Sequence, residues 1–335
     1  MNDPYPHKAG DAPGVLDAEA NVSAIVVTYF TGPLLARAID ALRAQPEVGE
    51  IIIVDNGNWE GAVDEAIGPD RASPRIAVIA GHGNVGFATA CNLGARAASG
   101  RYLLFLNPDA APPKGAVGDL LRDVADRDGR WLVAPKLVNP DGGEQQGSRR
   151  ETLTPWRAFV EATMLYRLAP RHPYFRRFNL HDDPSPDDVT ELPTISGACF
   201  LVPKADYEAI GGMDERYFLH VEDIDFCLRF AKAGGVVLFD PRVEVVHHKS
   251  SSRVGKFGVE RRKVSSIITY FDQHFSDAYP KPFLWLVYGL LWTAFAAREM
   301  VRPILAIPSA LGLSRRRGSV AVRRARAISS RRSSR

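Results

Sequence analysis

Residues 51–57 read Ile51-Ile52-Ile53-Val54-Asp55-Asn56-Gly57 and decide the fold class of this 335-residue chain. The first four are apolar and β-branched, which is typical of a strand that is buried on both faces of a parallel sheet. Asp55-Asn56-Gly57 is a turn signal that ends the strand. Because parallel strands are joined by helical crossovers, this stretch predicts an α/β protein.

Strand and helix patterns alternate on both sides of this stretch. Pro33 stands at a favoured first helical position, and Pro46 closes the helix that follows it. The patterns together predict a doubly wound α/β sheet, in which ligands bind beyond the carboxyl ends of the strands. The predicted elements are strand 22–27, helix 34–45, strand 51–54, strand 76–80, helix 87–98 and strand 102–106.

Polar side chains follow three of these strands. Thr28 and Tyr29 follow the first, Asp55 the second, and Asn107 and Asp109 the last. A sugar nucleotide presents a base, a ribose and a diphosphate, and the departure of the diphosphate needs assistance. Asp55 is suited to hold base or ribose hydrogens, and Asp109 to hold a divalent cation against the diphosphate. These positions predict a nucleotide-sugar site at the carboxyl edge of the sheet.

A second group of acids begins a later helix, at Glu222, Asp223 and Asp225. At helical spacing Asp225 pairs with Arg229 on the solvent side, while the Asp223 carboxylate lies over the inward, apolar face. Acids in a first turn also cap helices and complement the helix dipole, which is the alternative interpretation. Three like charges this close favour use by a cation or a reacting proton. We therefore predict that Asp223, beside Glu222, is the catalytic base for an incoming hydroxyl.

A glycine-rich segment, Gly81-His82-Gly83-Asn84-Val85-Gly86, matches the dinucleotide-binding pattern G-x-G-x-x-G. That pattern normally occupies the first strand-to-helix turn, and here two strands precede it. A nicotinamide-dependent oxidoreductase therefore stays open as an alternative. A non-catalytic sugar-nucleotide-binding protein is a third interpretation, and the full set of site acids argues against it.

Charge and cysteine content limit the classes of binding partner and the cellular compartment. The formal net charge is +3, but ten arginines and no acids follow residue 300, so the first 299 residues carry −7. The arginine-rich end has no aromatic residues, which argues against a nucleic-acid surface. Cys91, Cys199 and Cys227 stand among apolar residues, which predicts reduced core thiols. Residues 1–20 are polar without a secretory signal, so we expect a disordered N-terminal segment and a cytoplasmic protein.

The C-terminal region is apolar before it becomes basic. Residues 283–297 form a run of fifteen without a charge, which is short for a membrane span of about twenty. A second apolar stretch, 303–313, is broken by a proline. We predict that residues 276–313 form an amphipathic helical segment at the membrane interface, with the disordered basic tail 314–335 on anionic headgroups. The alternative is a buried C-terminal helix.

Residues 139–194 differ in character from their surroundings. They are rich in Pro, Asp and Arg, with one helix predicted at 155–168. We interpret them as an excursion from the sheet that shapes the site of a second substrate, the acceptor. A strand at 243–246 comes later, and His247 and His248 follow it. Either histidine is suited to complete a metal shell or to orient the diphosphate.

Eight short motifs stand in order between residues 22 and 250. They are Val26-Val27-Thr28-Tyr29, Ile53-Val54-Asp55-Asn56-Gly57, Asn84-Val85-Gly86-Phe87 with Asn92 and Gly94, Phe105-Leu106-Asn107-Pro108-Asp109, Ser196-Gly197-Ala198-Cys199-Phe200, Gly212-Met213-Asp214-Glu215 with Phe218, Glu222-Asp223-Ile224-Asp225 with Arg229, and Val246-His247 with Ser251. In this order and spacing the chain resembles the inverting glycosyltransferases of family 2, and within them the bacterial rhamnosyltransferase-like branch.

The resemblance implies a glycosyltransferase A-type fold, a doubly wound mixed sheet that binds a nucleotide sugar. It implies Asp223 as the base of a single inverting displacement, and we predict that Asp109 with His247 holds Mg²⁺ or Mn²⁺. The family's metal motif is commonly Asp-x-Asp, and here Asn107 takes its first position, which leaves the coordination shell open. The implied donor site lies at Thr28, Asp55 and Asp109, and we predict that Tyr29, Asn84, Gly86 and Asn107 also belong to it.

The resemblance also implies substrates and a setting. The donor is expected to be dTDP-rhamnose, with other nucleotide sugars as alternatives, and the acceptor a lipid-linked saccharide or a polysaccharide of the cell envelope. Residues 21–275 would form the catalytic domain. The enzyme would work at the cytoplasmic face of the inner membrane, on an anionic surface and without nucleic acid.

Overall fold

A computed structural model describes residues 22–69, 73, 75–169, 172–249 and 256–310. For Lys256 and for residues 301–310 it describes the backbone alone. The predictions for residues 1–20 and for the tail 314–335 lie outside these residues.

Helices and strands alternate through most of the described chain. In chain order they are β1 (Val22–Thr28), α1 (Leu34–Arg43), β2 (Val48–Asp55), α2 (Ala62–Ile67), β3 (Ile76–Ile79), α3 (Phe87–Ala97), β4 (Tyr102–Leu106), β5 (Ala110–Ala111), α4 (Ala116–Asp123), β6 (Trp131–Val138), β7 (Arg149–Arg150), α5 (Pro155–Ala162), β8 (Thr190–Glu191), β9 (Thr194–Ile195), β10 (Cys199–Pro203), α6 (Lys204–Ala209), α7 (Glu222–Lys232), β11 (Val236–His247), α8 (Lys256–Phe275) and α9 (Lys281–Ala310). The predicted alternation is confirmed.

A mixed sheet forms the centre of the fold. Within the described residues its strands lie in the order β3-β2-β1-β4-β10-β6-β11-β5, and β8 also pairs with β11. The pairs among β1 to β4 are parallel, whereas β10 runs antiparallel to both β4 and β6. β7 and β9 form a small separate sheet. The predicted doubly wound mixed sheet is therefore confirmed.

The apolar run of β2 is buried on both faces, as its sequence predicted. Ile51 and Ile53 enter one hydrophobic core, which includes the apolar side of α1. Ile52 and Val54 enter a second core on the other face, with α3 and α7. Cys91, Cys199 and Cys227 are all buried and free, which confirms the prediction of reduced core thiols.

Two predicted boundaries differ from the structure by more than three residues. α5 ends at Ala162 instead of residue 168, and a short 3-10 turn, Leu165–Arg167, takes the remainder. β11 begins at Val236, seven residues before the predicted strand, and its pairing with β6 shifts register between Asp240 and Glu244. Pro241 stands in this irregularity and hides the continuity of the strand, because proline normally interrupts a ladder.

The chain divides into two compact units, one through Leu290 and one from Leu291 onward. Within the first unit, Leu284 and Val287 of α9 are buried, while Trp285 and Leu286 are exposed. In the part of the chain that the structure describes, no helix combines the length and the apolar character that crossing a bilayer requires.

Candidate active site

The carboxyl ends of three neighbouring strands bring the predicted donor-side residues together. Thr28 of β1 lies directly opposite Asp55 of β2 in the parallel register, and Asn107 follows β4, which pairs with the other edge of β1. The Thr28 side chain is buried, and its Oγ1 lies 3.3 Å from Thr31 Oγ1. Parallel strands thus place these polar groups along one edge of the sheet.

Asp55 is fixed by the turn that follows it. Its Oδ1 accepts hydrogen bonds from the backbone N–H of Gly57 (3.0 Å), the backbone N–H of Asn58 (2.9 Å) and Nδ2 of Asn58 (2.7 Å). Asn58 Nδ2 also donates to the carbonyl of Thr28 at 3.1 Å. Asn58, which the sequence interpretation missed, therefore ties the two predicted donor residues to each other.

Aromatic rings flank this edge. The Tyr29 and Phe30 rings lie 4.6 Å apart, and Phe30 contacts Trp59 at 5.0 Å, both with edge-to-face geometry. Trp59 is 64% exposed. An exposed indole beside a polar strand end is a surface on which a planar base can stack.

The glycine-rich turn before α3 packs against protein on both sides. Asn56 Nδ2 donates to Asn84 Oδ1 at 3.1 Å, and the N–H of Phe87 donates to the carbonyl of Phe218 at 2.8 Å. Gly86 has φ +90°, and a Cβ there would lie 2.7 Å from the Phe218 carbonyl oxygen. The third glycine of the pattern is thus required by a protein contact, and the preceding strand β3 is at the edge of the sheet.

Asp109 and His247 face each other in a buried pair. His247 Nε2 lies 3.0 Å from Asp109 Oδ1 and 3.3 Å from Asn107 Nδ2. His247 Nδ1 lies 2.6 Å from Gln145 Oε1, which can only accept, so Nδ1 carries the proton and donates it. His248 contributes a backbone N–H to the Asp109 carbonyl at 3.0 Å. The sequence left both histidines open, and the structure places the His247 ring against Asp109.

A carboxylate and an oriented imidazole nitrogen fit a divalent ion that takes its other ligands from substrate oxygens or water. Gln145, at the start of the excursion, fixes the ring by accepting a hydrogen bond from Nδ1, as the hydrogen-bond partners of ligand histidines do in metal sites. Its Nε2 donates to the His247 carbonyl at 3.0 Å. Among the residues that the structure describes there is no group of three or more His, Cys, Asp or Glu side chains placed to hold a metal by themselves.

Asp223 lies at the start of α7, with its carboxylate held on three sides. Its Oδ2 accepts from Arg150 Nη2 at 2.5 Å and from the backbone N–H of Gly197 at 2.9 Å. Its Oδ1 accepts from the N–H of Ile224 at 2.8 Å. Burial alone raises the pKa of Asp223, but the Arg150 charge and these hydrogen bonds outweigh burial and hold that pKa below its usual value.

Glu222, next to it, is in the opposite state. Burial, with a contribution from the Asp223 charge, raises the pKa of Glu222 to about 8. Its Oε2 has no hydrogen-bond partner among the described residues. At neutral pH Glu222 is therefore protonated, and the two neighbouring acids carry one negative charge instead of two.

The predicted exposure of Asp225 is wrong. We expected its pair with Arg229 on the solvent side, but Asp225 is fully buried. Its Oδ2 accepts from Arg229 Nε at 2.6 Å, and its Oδ1 lies 2.7 Å from His274 Nε2 of α8. The spacing rule identified the partner correctly, but α8 covers that face of α7. Asp225 therefore fastens two helices together.

The loop before α7 is strained. His220 and Val221 have φ values of +68° and +76°, a conformation that non-glycine residues rarely adopt. α8 braces this loop, because Arg262 lies 4.0 Å over the Phe218 ring and Ser266 Oγ donates to the Leu219 carbonyl at 3.4 Å. Strain of this kind persists only where the surroundings enforce it.

The segment Gly197-Ala198 connects Asp223 with the strand end at Asn107. Gly197 donates its N–H to Asp223, and the carbonyl of the next residue, Ala198, accepts from the N–H of Asn107 at 2.8 Å. A Cβ on Gly197 would lie 2.9 Å from Asp223 Cβ, so the helix approaches this segment closely. Asp223 and the Asn107 end of β4 are thus held on adjacent residues.

The excursion supplies the groups that sequence reasoning missed. Gln145 orients His247, and Arg150 pairs with Asp223 across 73 residues of sequence. The composition of 139–194 indicated a substrate-side role in general. The stretch also contains a second adjacent arginine pair, Arg176 and Arg177, so the sequence alone carried no signal that singled out Arg150.

Comparison with known proteins identifies the family of this chain. The family described as Glycosyl transferase family 2 matches residues 23–202. An N-acetylglucosaminyl-diphospho-decaprenol L-rhamnosyltransferase of Mycobacterium tuberculosis is 31% identical over 311 residues, which cover 88% of this chain and 95% of that protein.

Solved structures agree on the fold. A mannosyltransferase, PcManGT from Pyrobaculum calidifontis in complex with GDP-Man and Mn²⁺, superposes with a TM-score of 0.52 at 17% identity, over 93% of this chain and 85% of that one. GalNAc-T7 with UDP, GalNAc and Mn²⁺ gives a TM-score of 0.53 at 16% identity, over 84% and 57%. The chain belongs to glycosyltransferase family 2 and is a rhamnosyltransferase-like glycosyltransferase of that family.

Proposed function

We propose that this enzyme transfers L-rhamnose from dTDP-rhamnose to a lipid-linked saccharide or polysaccharide acceptor, with inversion at the anomeric carbon. The observation that carries the mechanism is the Asp223 carboxylate, ionised and held by three donors, one segment away from the Asn107 end of β4. A base in this position is suited to face an acceptor hydroxyl while a donor lies along the strand ends.

The choice of sugar and acceptor draws on the mycobacterial relative. That protein is an L-rhamnosyltransferase whose name specifies an N-acetylglucosaminyl-diphospho-decaprenol, and it matches over 88% of this chain. The likeness supports rhamnose as the transferred sugar and a diphosphate-linked lipid as the carrier of the acceptor, in cell-envelope glycan synthesis. UDP- and GDP-sugars are the alternative donors.

On the donor side, Asp55, Thr28 and the ring of Tyr29 would hold the base and ribose. The turn at Asn84 and Gly86 would support them, because Asn84 accepts a hydrogen bond from Asn56, the residue after Asp55. Asp109 and His247 would hold Mg²⁺ or Mn²⁺, with Asn107 beside them. Mn²⁺ is present in both compared structures. When bound, the ion neutralises charge that develops on the departing diphosphate.

On the acceptor side, Asp223 takes the proton of the attacking hydroxyl. The hydroxyl oxygen bonds to the anomeric carbon from the face opposite the diphosphate, whose bond to that carbon breaks, so the configuration inverts. Glu222 stays protonated at neutral pH and adds no second charge that would compete for the proton.

A transfer assay with purified protein tests this function. dTDP-rhamnose and UDP- and GDP-sugars are each supplied with a polyprenyl-diphosphate-linked N-acetylglucosamine acceptor, with Mn²⁺ or with a chelator. We expect rhamnosylated product, of inverted configuration by NMR, that requires metal and is lost in Asp223→Asn. Asp188→Asn is the matched control, because Asp188 is 86% exposed and lies outside the site. Transfer by Asp223→Asn at the wild-type rate would refute the base assignment.

We also propose that the enzyme is peripheral at the cytoplasmic face of the inner membrane, where residues 276–313 contact anionic lipid. The support is the exposure of Trp285 (66%) and Leu286 (50%) on α9, since exposed aromatic and aliphatic side chains insert into the headgroup region. In the full chain, substitution of both residues by Ser should lower co-sedimentation with vesicles that contain anionic lipid. Trp59→Ser, at a similarly exposed tryptophan, is the control. Equal binding by all three proteins would contradict the proposal.

A further inference from the structure

Two adjacent arginines of β7 point to opposite sides of the strand. The Arg149 side chain pairs with Glu144 (2.8 Å) and donates to the Asp183 carbonyl (2.7 Å), inside the excursion. The Arg150 side chain instead reaches Asp223 of α7 and the carbonyl of Ile195. Alternation along a strand explains the divergence. Arg149 holds the excursion together, and Arg150 faces the reaction site.

The Arg150 guanidinium has little freedom to leave Asp223. Its Nη2 donates to both Asp223 Oδ2 and the Ile195 carbonyl, and its Cζ lies 5.7 Å from the centre of the Phe178 ring. The side chain is 10% exposed. Leaving Asp223 would break two hydrogen bonds and uncover a buried charge, so the contact is a permanent part of the site.

The hydrogen bonds at Asp223 leave one acceptor position. A carboxylate offers about four lone-pair directions. Arg150 and Gly197 take the two on Oδ2, and the N–H of Ile224 takes one on Oδ1. The remaining direction, on Oδ1, receives no N–H among the described residues and is the one available for an incoming proton.

We propose that Arg150 is a positioning residue of the transferase: it keeps Asp223 deprotonated and fixes the carboxylate so that Oδ1 receives the proton of the acceptor hydroxyl. This inference rests on the proposed function, because it takes Asp223 to be the base. Arg150 acts through Asp223 and needs no contact of its own with either substrate.

Three titratable groups around Asp223 carry no charge at neutral pH. Glu222 and Cys227 of α7 are protonated, because burial raises the pKa of the former to about 8 and of the latter to about 12. Burial lowers the pKa of His220, in the loop before α7, to about 4, so its ring is neutral. Lys249, after β11, is a cation whose pKa is lowered by burial and by the charges of Lys263 and Arg150. Among the described residues, Arg150 is therefore the cation in direct contact with Asp223.

The pH dependence of kcat/KM for the acceptor tests this role. Wild type, Arg150→Lys and Arg150→Gln are compared in the same transfer assay with saturating donor. On the acidic side of the profile, kcat/KM falls as Asp223 is protonated, and we call this part the acidic limb. In Arg150→Gln the acidic limb should move up by about 1–3 pH units, since an adjacent arginine lowers an aspartate pKa by that amount. In Arg150→Lys, which keeps the charge with a poorer contact, the limb should lie between those of the other two proteins.

Arg149→Gln is the matched control, because it removes the neighbouring buried arginine without touching Asp223. It should lower thermal stability and leave the acidic limb where it is in the wild type. The thermal shift caused by the nucleoside diphosphate of the donor should be the same in the wild type and in both Arg150 variants, because Arg150 acts on the acceptor side.

A profile that stays parallel to the wild type in every Arg150 variant that folds would overturn the proposal, and Arg150→Lys alone decides it if Arg150→Gln does not fold. A limb displaced equally in Arg149→Gln would overturn it as well. Failure of the wild-type protein to transfer sugar from any donor would instead overturn the proposed function.

Discussion

Asp225→Ala should destabilise this protein far more than removal of an ordinary surface charge. Asp225 is fully buried and contacts Arg229 at 2.6 Å and His274 at 2.7 Å. Loss of one partner of a buried pair leaves the other charge uncompensated, which costs about 3–5 kcal/mol. An exposed pair at the same helical spacing would contribute only about 0.3–0.5 kcal/mol. The two environments therefore differ about tenfold in the expected effect.

Urea unfolding followed by circular dichroism measures this difference. For a domain of this size the loss corresponds to a fall in Tm of about 6–20 °C. Asp119→Ala is the control, since Asp119 pairs with Arg122 at 2.6 Å and both side chains are at least half exposed. It should change stability by less than about 1 kcal/mol. A loss of 0.5 kcal/mol or less in Asp225→Ala would refute the reasoning, because the pair would then behave as a surface contact.

Three further predictions address other parts of the site. Gln145→Leu removes the acceptor that fixes the His247 ring and should weaken Mn²⁺ activation by about 10–100-fold; a titration of activity against Mn²⁺ measures it, and an unchanged half-saturation point would contradict it. Gly86→Ala forces a Cβ to 2.7 Å from the Phe218 carbonyl oxygen at a φ of +90°, so it should lower the free energy of unfolding by about 1–3 kcal/mol. Urea unfolding measures the change, and an unchanged midpoint would count against the prediction. Glu222 keeps its proton to about pH 8 in the folded state but releases it near 4.5 when unfolded, so the free energy of unfolding should fall as pH rises from 4.5 to 8. Glu222→Gln should lack this fall, and a constant difference between the two proteins at pH 5 and pH 8 would disprove it.

The parallel half of the sheet could be predicted because its signals are local. Apolar strands ending in turn residues define β1, β2, β3 and β4, and parallel pairing then brings their carboxyl ends to one edge. Thr28, Asp55 and Asn107 needed no further information to be placed there. β10 and the long β11 were less visible, because antiparallel insertion and a proline at a register shift leave no simple pattern.

The surroundings of Asp223 and Asp225 were less predictable because their contacts span long stretches of sequence. Helical spacing identified Arg229 as the partner of Asp225, but it carries no information about α8, whose His274 is 49 residues away. Arg150 acts on Asp223 from 73 residues away. Periodicity describes one element at a time, whereas burial depends on which other element covers it.

The excursion has a consequence for chimeric enzymes. Its first twelve residues supply both Gln145, which orients the His247 ring, and Arg150, which pairs with Asp223. A graft that exchanges this loop between relatives to change acceptor preference also exchanges the residues that support His247 and Asp223. Junctions placed after Arg150 would keep both supports native, so that a change in acceptor preference could be assigned to the grafted residues alone.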